Sequence, residues 1–473
     1  MTTIVWFRQD LRVADNPALF HASKRGPVLP VFILDETETP GLGGASKWWL
    51  HHSLQSLSSR FSDFVLLRGD PQSQLLSLID KTGADAVFWN RCYEPHAVSR
   101  DKAIKAHLNE KGIDAQSCNA NLLHEPWELK TGSGGPFKVY SPFWRVARSR
   151  PVEPPLAEPA ISATPARDIG MALEELDLRP SNPDWAAGWQ EIWQPGEYGA
   201  LAGLESFLEN GLSGYAGLRD RPDLKNVSRL SPHLHFGEIS PRQIWAKANF
   251  LAAGQPELAR DVEKFLSELC WREFAYHLLY HFPTIPDENW KRSFNAYAWR
   301  DSEAHLEAWQ RGMTGYPIVD AGMRELWNTG YMHNRVRMIA ASFLVKHLRI
   351  DWRLGAAWFW DTLVDADLAN NASGWQWVAG SGADAAPYFR VFNPMLQGRK
   401  FDPEGSYIRR WCPEIARLGN DHIHAPFEAS QRSLFEAGVK LGETYPKPLV
   451  DHQEARKAAL AGYEAVKAFG DGR

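Results

Sequence analysis

Between Asp361 and Arg399 the chain gathers aromatic, amide and carboxylate side chains at short spacing. Asp365 and Asp367 flank one alanine, Asn370 and Asn371 follow, and Trp375 and Trp377 flank Gln376. A small-residue stretch to Ala386 then leads into Pro-Tyr-Phe-Arg-Val-Phe-Asn-Pro. A core that needs only filling uses leucine and valine, because buried carboxylates and amides cost several kcal/mol unless partnered. So many hydrogen-bonding groups among large rings suit a polar, flat ligand.

Two other groups fall on helical spacing. Glu268, Trp271 and Arg272 stand at i, i+3 and i+4 and share one face, with Phe265, Leu266, Leu269 and Phe274 supplying the apolar stripe. They make either an ion pair under a covering ring or the floor for a planar, partly anionic ligand. After Gly330, Asn334, Arg337 and Met338 share a face and Arg335 points away. A helix cap, surface arginines and a core methionine would give the same pattern. A third motif, Tyr215-Ala216-Gly217-Leu218-Arg219-Asp220-Arg221-Pro222, precedes Val227-Ser228-Arg229-Leu230-Ser231-Pro232. Hydroxyl donors around an arginine suit a phosphate, although an ordinary serine-rich turn reads likewise.

The elements that must position these residues differ along the chain. The first ~130 residues alternate candidate strands at Thr3–Phe7, Val28–Ile33, Asp63–Arg68 and Ala86–Asn90, and a weaker one at Ala115–Cys118, with helical patterns at Ser46–Phe61, Pro71–Thr82 and Ala97–Lys111. That alternation predicts an α/β domain with a parallel, doubly wound sheet. No Gly-x-Gly-x-x-Gly follows the first strand, where Trp6-Phe7-Arg8-Gln9-Asp10-Leu11-Arg12 stands instead, so the dinucleotide fingerprint is missing from the place where that fold would use it. From about Arg150 to Pro195, prolines at 151, 154, 155, 159, 165, 180 and 183 predict a linker. Helical patterns then run almost to the end, among them Tyr198–Glu209, Arg260–Tyr280, Ala304–Gln310, Pro317–Asn328 and His333–Leu348. The expected layout is an α/β domain at 1–130, a linker at 131–195 and an all-α domain at 196–473.

Composition narrows the function classes. The apolar share of 44% and charged share of 23% are those of a globular protein, but 21 tryptophans against 13 tyrosines are not ordinary. A net charge of −5 predicts no global attraction to nucleic acid, so any DNA contact needs a local basic patch. Cysteines at 92, 118, 270 and 412 form no Cys-x-x-Cys pair, which predicts reduced thiols in a cytoplasmic protein. The 16 histidines lack matching ligand spacing, so no metal site is expected. Arg8 and Asp10 argue against a signal peptide, and no run of 18 apolar residues predicts a membrane span.

In order, and over nearly the whole chain from Trp6-Phe7-Arg8 to Phe401-Asp402 and Arg409-Arg410-Trp411, these motifs resemble the DNA photolyase/cryptochrome family. The resemblance implies an N-terminal α/β domain, a long linker and a helical domain holding FAD folded into a U. Tyr215, Ser228, Arg229, Leu230 and Ser231 would hold its phosphates and ribityl region. Glu268, Arg272, Asn334, Arg337, Asp365, Asp367 and Asn371 would line the rest. An Asp365–Arg337 pair is expected beside the isoalloxazine, with Asn371 facing N5. Trp299, Trp352 and Trp375 align with the family's electron-transfer triad; their spacing alone does not bring the rings together.

Within the family, Asn371 is an amide as in photolyases, where plant cryptochromes place aspartate and animal ones cysteine. Asn334 and Met338 match the cyclobutane-dimer enzymes, whereas six-four photolyases use histidines there. Trp271 and Trp377 match the pair that stacks on a flipped thymine dimer, worth ~1–3 kcal/mol per base. The implied partner is UV-damaged DNA, and the implied activity is light-driven repair. One electron from excited FADH− reaches the dimer, both cyclobutane bonds break, and the electron returns. Glu268 would bond the dimer's carbonyl region, and Arg219, Arg335, Arg337 and Arg390 would surround the pocket mouth.

Three departures stand out. Ala366 replaces a frequent glycine, Tyr331 a frequent Trp, and His96-Ala97 the Asn-Glu pair of the best-known folate-binding bacterial enzymes. The run Trp48-Trp49-Leu50-His51-His52-Ser53-Leu54 looks more like plant cryptochromes and class III photolyases. The expected antenna is 5,10-methenyltetrahydrofolate, with a deazaflavin as the alternative. A cryptochrome-type light sensor signalling through a partner is the alternative function; a thermal FAD oxidoreductase lacks its dinucleotide site and hydride donor. A monomer with no obligate protein partner is expected.

Overall fold

A computed structural model describes residues 2–38, 40–166, 168–385 and 389–471. Strands β1 (Thr3–Phe7), β2 (Val28–Leu34), β3 (Val65–Arg68), β4 (Ala86–Asn90) and β5 (Asp114–Cys118) form one parallel sheet in the order β3-β2-β1-β4-β5. β1 and β4 match their expected bounds. β3 starts two residues late because its pairing begins where Val65 meets Val31. Every residue of β1 and β4 is buried, as a sheet covered on both faces requires.

Helices α1 (Pro17–Ser23), α2 (Gly44–Ser58), α3 (Pro71–Thr82) and α4 (Pro95–Glu110) connect the strands. Leu75 and Leu78 of α3 and Ile104 and Leu108 of α4 pack on Ile4, Trp6, Val31, Val87 and Trp89 of the sheet. Capping sets the limits of α3. The Asp70 carboxylate accepts from Ser73 N at 2.8 Å, Pro71 opens the first turn, and Gly83 ends it at φ +66°.

Strand order reverses between β1 and β4, where sheets of this kind hold nucleotides at their carboxyl ends. Side chains fill that place here. Asn90 Nδ2 donates to Asp10 at 2.6 Å and to Asn16 at 2.7 Å, while Arg8 makes two bonds to Asp101 at 2.8 and 2.7 Å. The missing glycine fingerprint and this buried network agree: side chains of Asp10, Asn16 and Asn90 close on one another where the fingerprint would stand.

The chain packs as two units. One comprises Met1–Ser213, Ser228–Pro283 and Val364–Ala369, and adds α5 (Tyr140–Ala147), α6 (Glu197–Asn210), α7 (Pro241–Gly254) and α8 (Ala259–His281) to the sheet. The other comprises Gly214–Val227, Thr284–Leu363 and Asn370–Arg473. It holds α9 (Pro317–Thr329), α10 (Asn334–Ser342), α11 (Trp352–Thr362), most of α12 (Leu368–Ala379) and α13 (His452–Asp471). Gly330, at φ +66°, stops α9, and the His333 side chain caps α10 by accepting from Arg335 N.

The helix expected over 333–348 is α-helical to Ser342 and then widens into a π turn at Phe343–Leu348, ended by Arg349 at φ +56°. Hydrophobic periodicity does not separate the two, because every residue of Phe343–Leu348 is buried and no polar face marks the turn's period. The buried Lys346 of the π turn donates its ammonium proton to Arg390 O.

Candidate functional site

In the first unit, α8 and the segment Val364–Ala369 meet at Asp367, which is 5% exposed. The Tyr276 hydroxyl donates to Asp367 Oδ2, and His235 Nδ1 lies 3.4 Å from the same oxygen. Arg272, one turn before Tyr276, places its guanidinium 4.8 Å from the Tyr276 ring centre and donates to Asn121 O at 2.7 Å. Burial alone would raise the Asp367 pKa, but His235, the Arg272 charge and the Tyr276 hydroxyl overcome it and hold the carboxyl below the usual carboxylate range. Burial and the Asp367 charge push the Tyr276 phenol well up, so it stays a donor. Asp365 is buried two residues before.

Glu268 and Trp271 stand earlier on the same helix. Lys264 Nζ stands 2.7 Å from Glu268 Oε1, one turn away. The Trp271 indole is stacked by Tyr140 of α5 at 3.6 Å between centroids and 11° between planes. The Tyr140 hydroxyl is fixed in turn on Ser267 O at 2.5 Å. Sequence reasoning placed Trp271 on this face but missed Tyr140, which has no periodic relation to it.

Ser228–Ser231 forms a turn whose middle residue, Arg229, takes φ +53°. Its guanidinium lies 4.2 Å from the Trp193 ring centre, and Ser228 Oγ accepts from Leu230 N at 3.4 Å. Behind the turn, His233 Nδ1 contacts Glu238, whose other oxygen accepts from Trp49 Nε1 at 3.0 Å. The tryptophan run of α2 thus braces the turn, and Leu230 is buried with it.

In the second unit, Tyr215 is buried, and Arg335 Nη2 donates to Asp220 at 2.9 Å with Arg219 3.9 Å from the same carboxylate. Arg335 also lies 4.6 Å from the Phe401 ring centre. Arg337 Nε donates to Met332 O at 2.7 Å, its guanidinium 5.3 Å from the Tyr331 ring. Asn334 opens α10 exposed to solvent, and Met338 is half-buried one turn later. Asn371 Nδ2 donates to Ala356 O at 3.0 Å, fixing the amide's orientation. Trp377 Nε1 donates to Asp384 O at 3.2 Å. Arg390 is exposed, 5.5 Å from the Phe392 ring.

Trp375 and Trp352 are buried and Trp299 is half-buried. Trp375 packs edge-on to Phe359 at 5.0 Å and Trp309 at 6.2 Å, Trp352 Nε1 donates to Asn289 Oδ1 at 3.0 Å, and Trp299 leans on Tyr297 at 4.6 Å. Gly355 is indispensable beside them: a Cβ there would lie 2.2 Å from the Trp375 ring.

Besides Tyr140, sequence reasoning missed Tyr276, His235, Glu273 and Lys346. Glu273, 4% exposed, accepts from Leu123 N at 2.8 Å; burial, opposed by the nearby Arg272 charge, pushes its carboxyl up to about 7. Lys346 is lowered to about 7, first by burial and then by the Arg390 charge. Tyr276 alone had a readable signal, standing four residues after Arg272 on one helix face. Among the described residues, no group of three His, Cys, Asp or Glu is placed to hold a metal, and no helix is long and apolar enough to cross a membrane.

The family model described as the FAD binding domain of DNA photolyase matches residues 265–465, and that described as DNA photolyase matches 3–160. The chain is 52% identical over 474 residues to a deoxyribodipyrimidine photo-lyase of Agrobacterium fabrum (strain C58), spanning 98% of each. It is 40% identical to Cryptochrome-2 of Arabidopsis thaliana, over 96% of this chain and 77% of that one. The crystal structure of a bacterial class III photolyase from Agrobacterium tumefaciens matches with a TM-score of 0.96 at 52% identity, covering 99% of this chain and 98% of that one. The chain belongs to the photolyase/cryptochrome family.

Proposed function

We propose that this protein is a photolyase that repairs cyclobutane pyrimidine dimers in DNA with FAD as its cofactor. The observation that carries the reading is Trp271, an indole held rigid by Tyr140 with Glu268 one turn before it. A flat ring locked beside a carboxylate is built to receive an extruded base.

The residues fit a flavin. Asp367 is a buried, ionised acceptor suited to a ring N–H, Asn371 offers an oriented amide, and Arg229, Arg272 and Arg337 supply cations for phosphate and carbonyl oxygens. When bound, reduced FAD supplies the electron that light sends to the dimer. Tyr215, Ser228, Arg229, Leu230 and Ser231 hold the phosphate side, and Asn334, Arg337, Asp365, Asp367 and Asn371 the ring side. Glu268 hydrogen-bonds the dimer's carbonyl region, where charge develops. Trp271 and Trp377 stack on the flipped bases, with Met338 beside them, and Arg219, Arg335 and Arg390 meet phosphates. The order of burial, with Trp352 and Trp375 inside and Trp299 nearer solvent, supports their role as an electron path.

The antenna is assigned as 5,10-methenyltetrahydrofolate. Trp48 lies 4.6 Å from His52 and 5.3 Å from Trp189, an aromatic cluster suited to a flat pterin. A near-ultraviolet band beyond that of flavin would support it, and a violet band would assign a deazaflavin instead. The protein is placed in the cytoplasm as a monomer, with domains at 1–130, 131–195 and 196–473.

Purified protein with FAD bound is given dimer-containing oligonucleotide in light and in darkness. Repair in light alone is expected. Repair in both conditions rejects the photochemistry, and repair in neither favours the cryptochrome-type sensor.

A further inference from the structure

Residues 389–392 belong to no helix or strand, so no ladder of their own holds their backbone in place. Among the described residues, one hydrogen bond ties the backbone of these four residues to the protein. The Lys346 ammonium donates it, to Arg390 O. The same nitrogen lies 4.8 Å from the Phe389 ring centre. The Phe389 ring is stacked on Tyr463 of α13 at 4.7 Å and 10°, and Phe294 flanks it at 6.4 Å. At Gly380, which takes φ +92°, a Cβ would lie 3.3 Å from that ring. Phe389 is therefore packed in place, while the residue after it depends on Lys346.

Lysine is unfavourable at this point. Lys346 is 5% exposed, and no carboxylate pairs with it among the described residues. Burial first, and then the Arg390 charge, lower its ammonium to about 7. A leucine or methionine would fill the space without that penalty, so the charged donor needs another reason. Its setting agrees, because the π turn Phe343–Leu348 is a rare form that recurs at functional sites. Lys346 also borders residues assigned above to the damaged DNA. With Trp377, Phe389 and Arg390 it lines a cavity of about 80 Å³.

We propose that Lys346 is a positioning residue for the substrate: its bond to Arg390 O fixes residues 389–392 so that the exposed Arg390 guanidinium is presented to the damaged strand. The role of Arg390 rests on the repair reading, and Lys346 acts through Arg390 alone. An exposed arginine on an untied segment has to order both backbone and side chain when it binds. Tying the backbone beforehand leaves only the side chain to order, which keeps more of the contact's free energy for affinity. The chemistry that follows does not touch Lys346, so its loss registers in binding.

The test is a cycle of Lys346→Met, Arg390→Ala and the double variant, in the full-length, flavin-loaded protein. Affinity for dimer-containing oligonucleotide is measured in darkness, and the repair rate of the saturated complex in light. Arg390→Ala should weaken binding about 10-fold, the loss of one charged-group hydrogen bond. Lys346→Met should weaken it about 3- to 10-fold and leave the saturated repair rate as in wild type, and the double variant should bind within about twofold of Arg390→Ala. A mere loss of positive potential would persist without the Arg390 side chain, so losses that multiply in the double variant overturn the proposal. Wild-type affinity in either single variant also overturns it, as does a slowed repair rate in the saturated complex of Lys346→Met. Where Lys346→Met fails to hold flavin, Lys346→Gln, whose side chain is shorter than the reach to Arg390 O, takes its place in the cycle. Wild type that binds dimers but does not repair them in light rejects the repair reading instead, and the binding cycle still decides the part of Lys346.

Discussion

Replacing Tyr276 with Phe removes the hydroxyl that donates to Asp367 and leaves the ring in place under Arg272. A hydrogen bond to an ionised group contributes about 1.5–3 kcal/mol, against about 0.5–1.5 for a neutral pair. Asp367 is 5% exposed, so water does not replace the lost donor, and His235, at 3.4 Å, is a long second partner. The loss should therefore fall in the upper part of the range, about 2–3 kcal/mol. Asp367→Asn keeps the shape and still accepts from Tyr276, but as a neutral group. The cycle of Tyr276→Phe, Asp367→Asn and the double variant, read by urea unfolding of the flavin-loaded chain, should give a coupling of about 1–2 kcal/mol. The sign with pH is fixed by the direction of the shift. The folded Asp367 lies below its unfolded value near ~3.9, so its stabilisation is complete above that value and is lost as pH falls toward the depressed one. The coupling should then be equal at pH 5 and pH 8. Additivity within about 0.5 kcal/mol, or a coupling that grows between those pH values, would refute an ionised Asp367 held by Tyr276.

Glu273→Gln tests the opposite case. Burial raises this carboxyl to about 7 from 4.5, so its contribution is complete below pH 4.5 and is lost as pH rises toward 7. The glutamine variant should gain on wild type across that window and hold a constant difference above it; a difference independent of pH in unfolding titrations counts against the assignment. Trp352→Phe keeps a buried ring but not an easily oxidised one. Light-driven reduction of bound flavin by an external donor should fall severalfold, with repair by chemically reduced protein unchanged; equal photoreduction would remove Trp352 from the electron path. Glu268→Ala should slow repair by roughly 10- to 150-fold, the loss of one charged-group hydrogen bond, with flavin still bound. Undiminished single-turnover repair would strip Glu268 of its role.

The sheet was legible because strands buried on both faces must be near-continuous apolar runs, and Thr3–Phe7 and Ala86–Asn90 came out to the residue. The reversal point between β1 and β4 was legible only as a missing motif. That Asn90, Asp10 and Asn16 fill it could not be read, since they are 6 to 80 positions apart in sequence. The π turn at Phe343–Leu348 was hidden because all six of its residues are buried, so no alternation of polar and apolar positions records its period.

The same distinction separates the two shells of the site. Asp365, Asp367, Asn371, Arg272 and Trp271 betray themselves because polar or oversized groups interrupt a pattern that packing alone would fill with leucine. Their supports do not interrupt anything. Tyr140 on Trp271 and Trp49 on Glu238 are aromatic residues in apolar stretches, indistinguishable in sequence from core, and Tyr276 on Asp367 differs only by its helical spacing from Arg272. Yet each spends its one polar atom on another group of the site or on fixed backbone. Tyr276 joins His235 and the Arg272 charge in keeping Asp367 ionised, and Tyr140 stacks Trp271 into a fixed platform. An unusual wealth of tryptophan and tyrosine is therefore informative in a way no single position is. Where large rings exceed what a core of this size needs, some of them are holding other side chains still, and the partner of each is found by asking where its one N–H or O–H points.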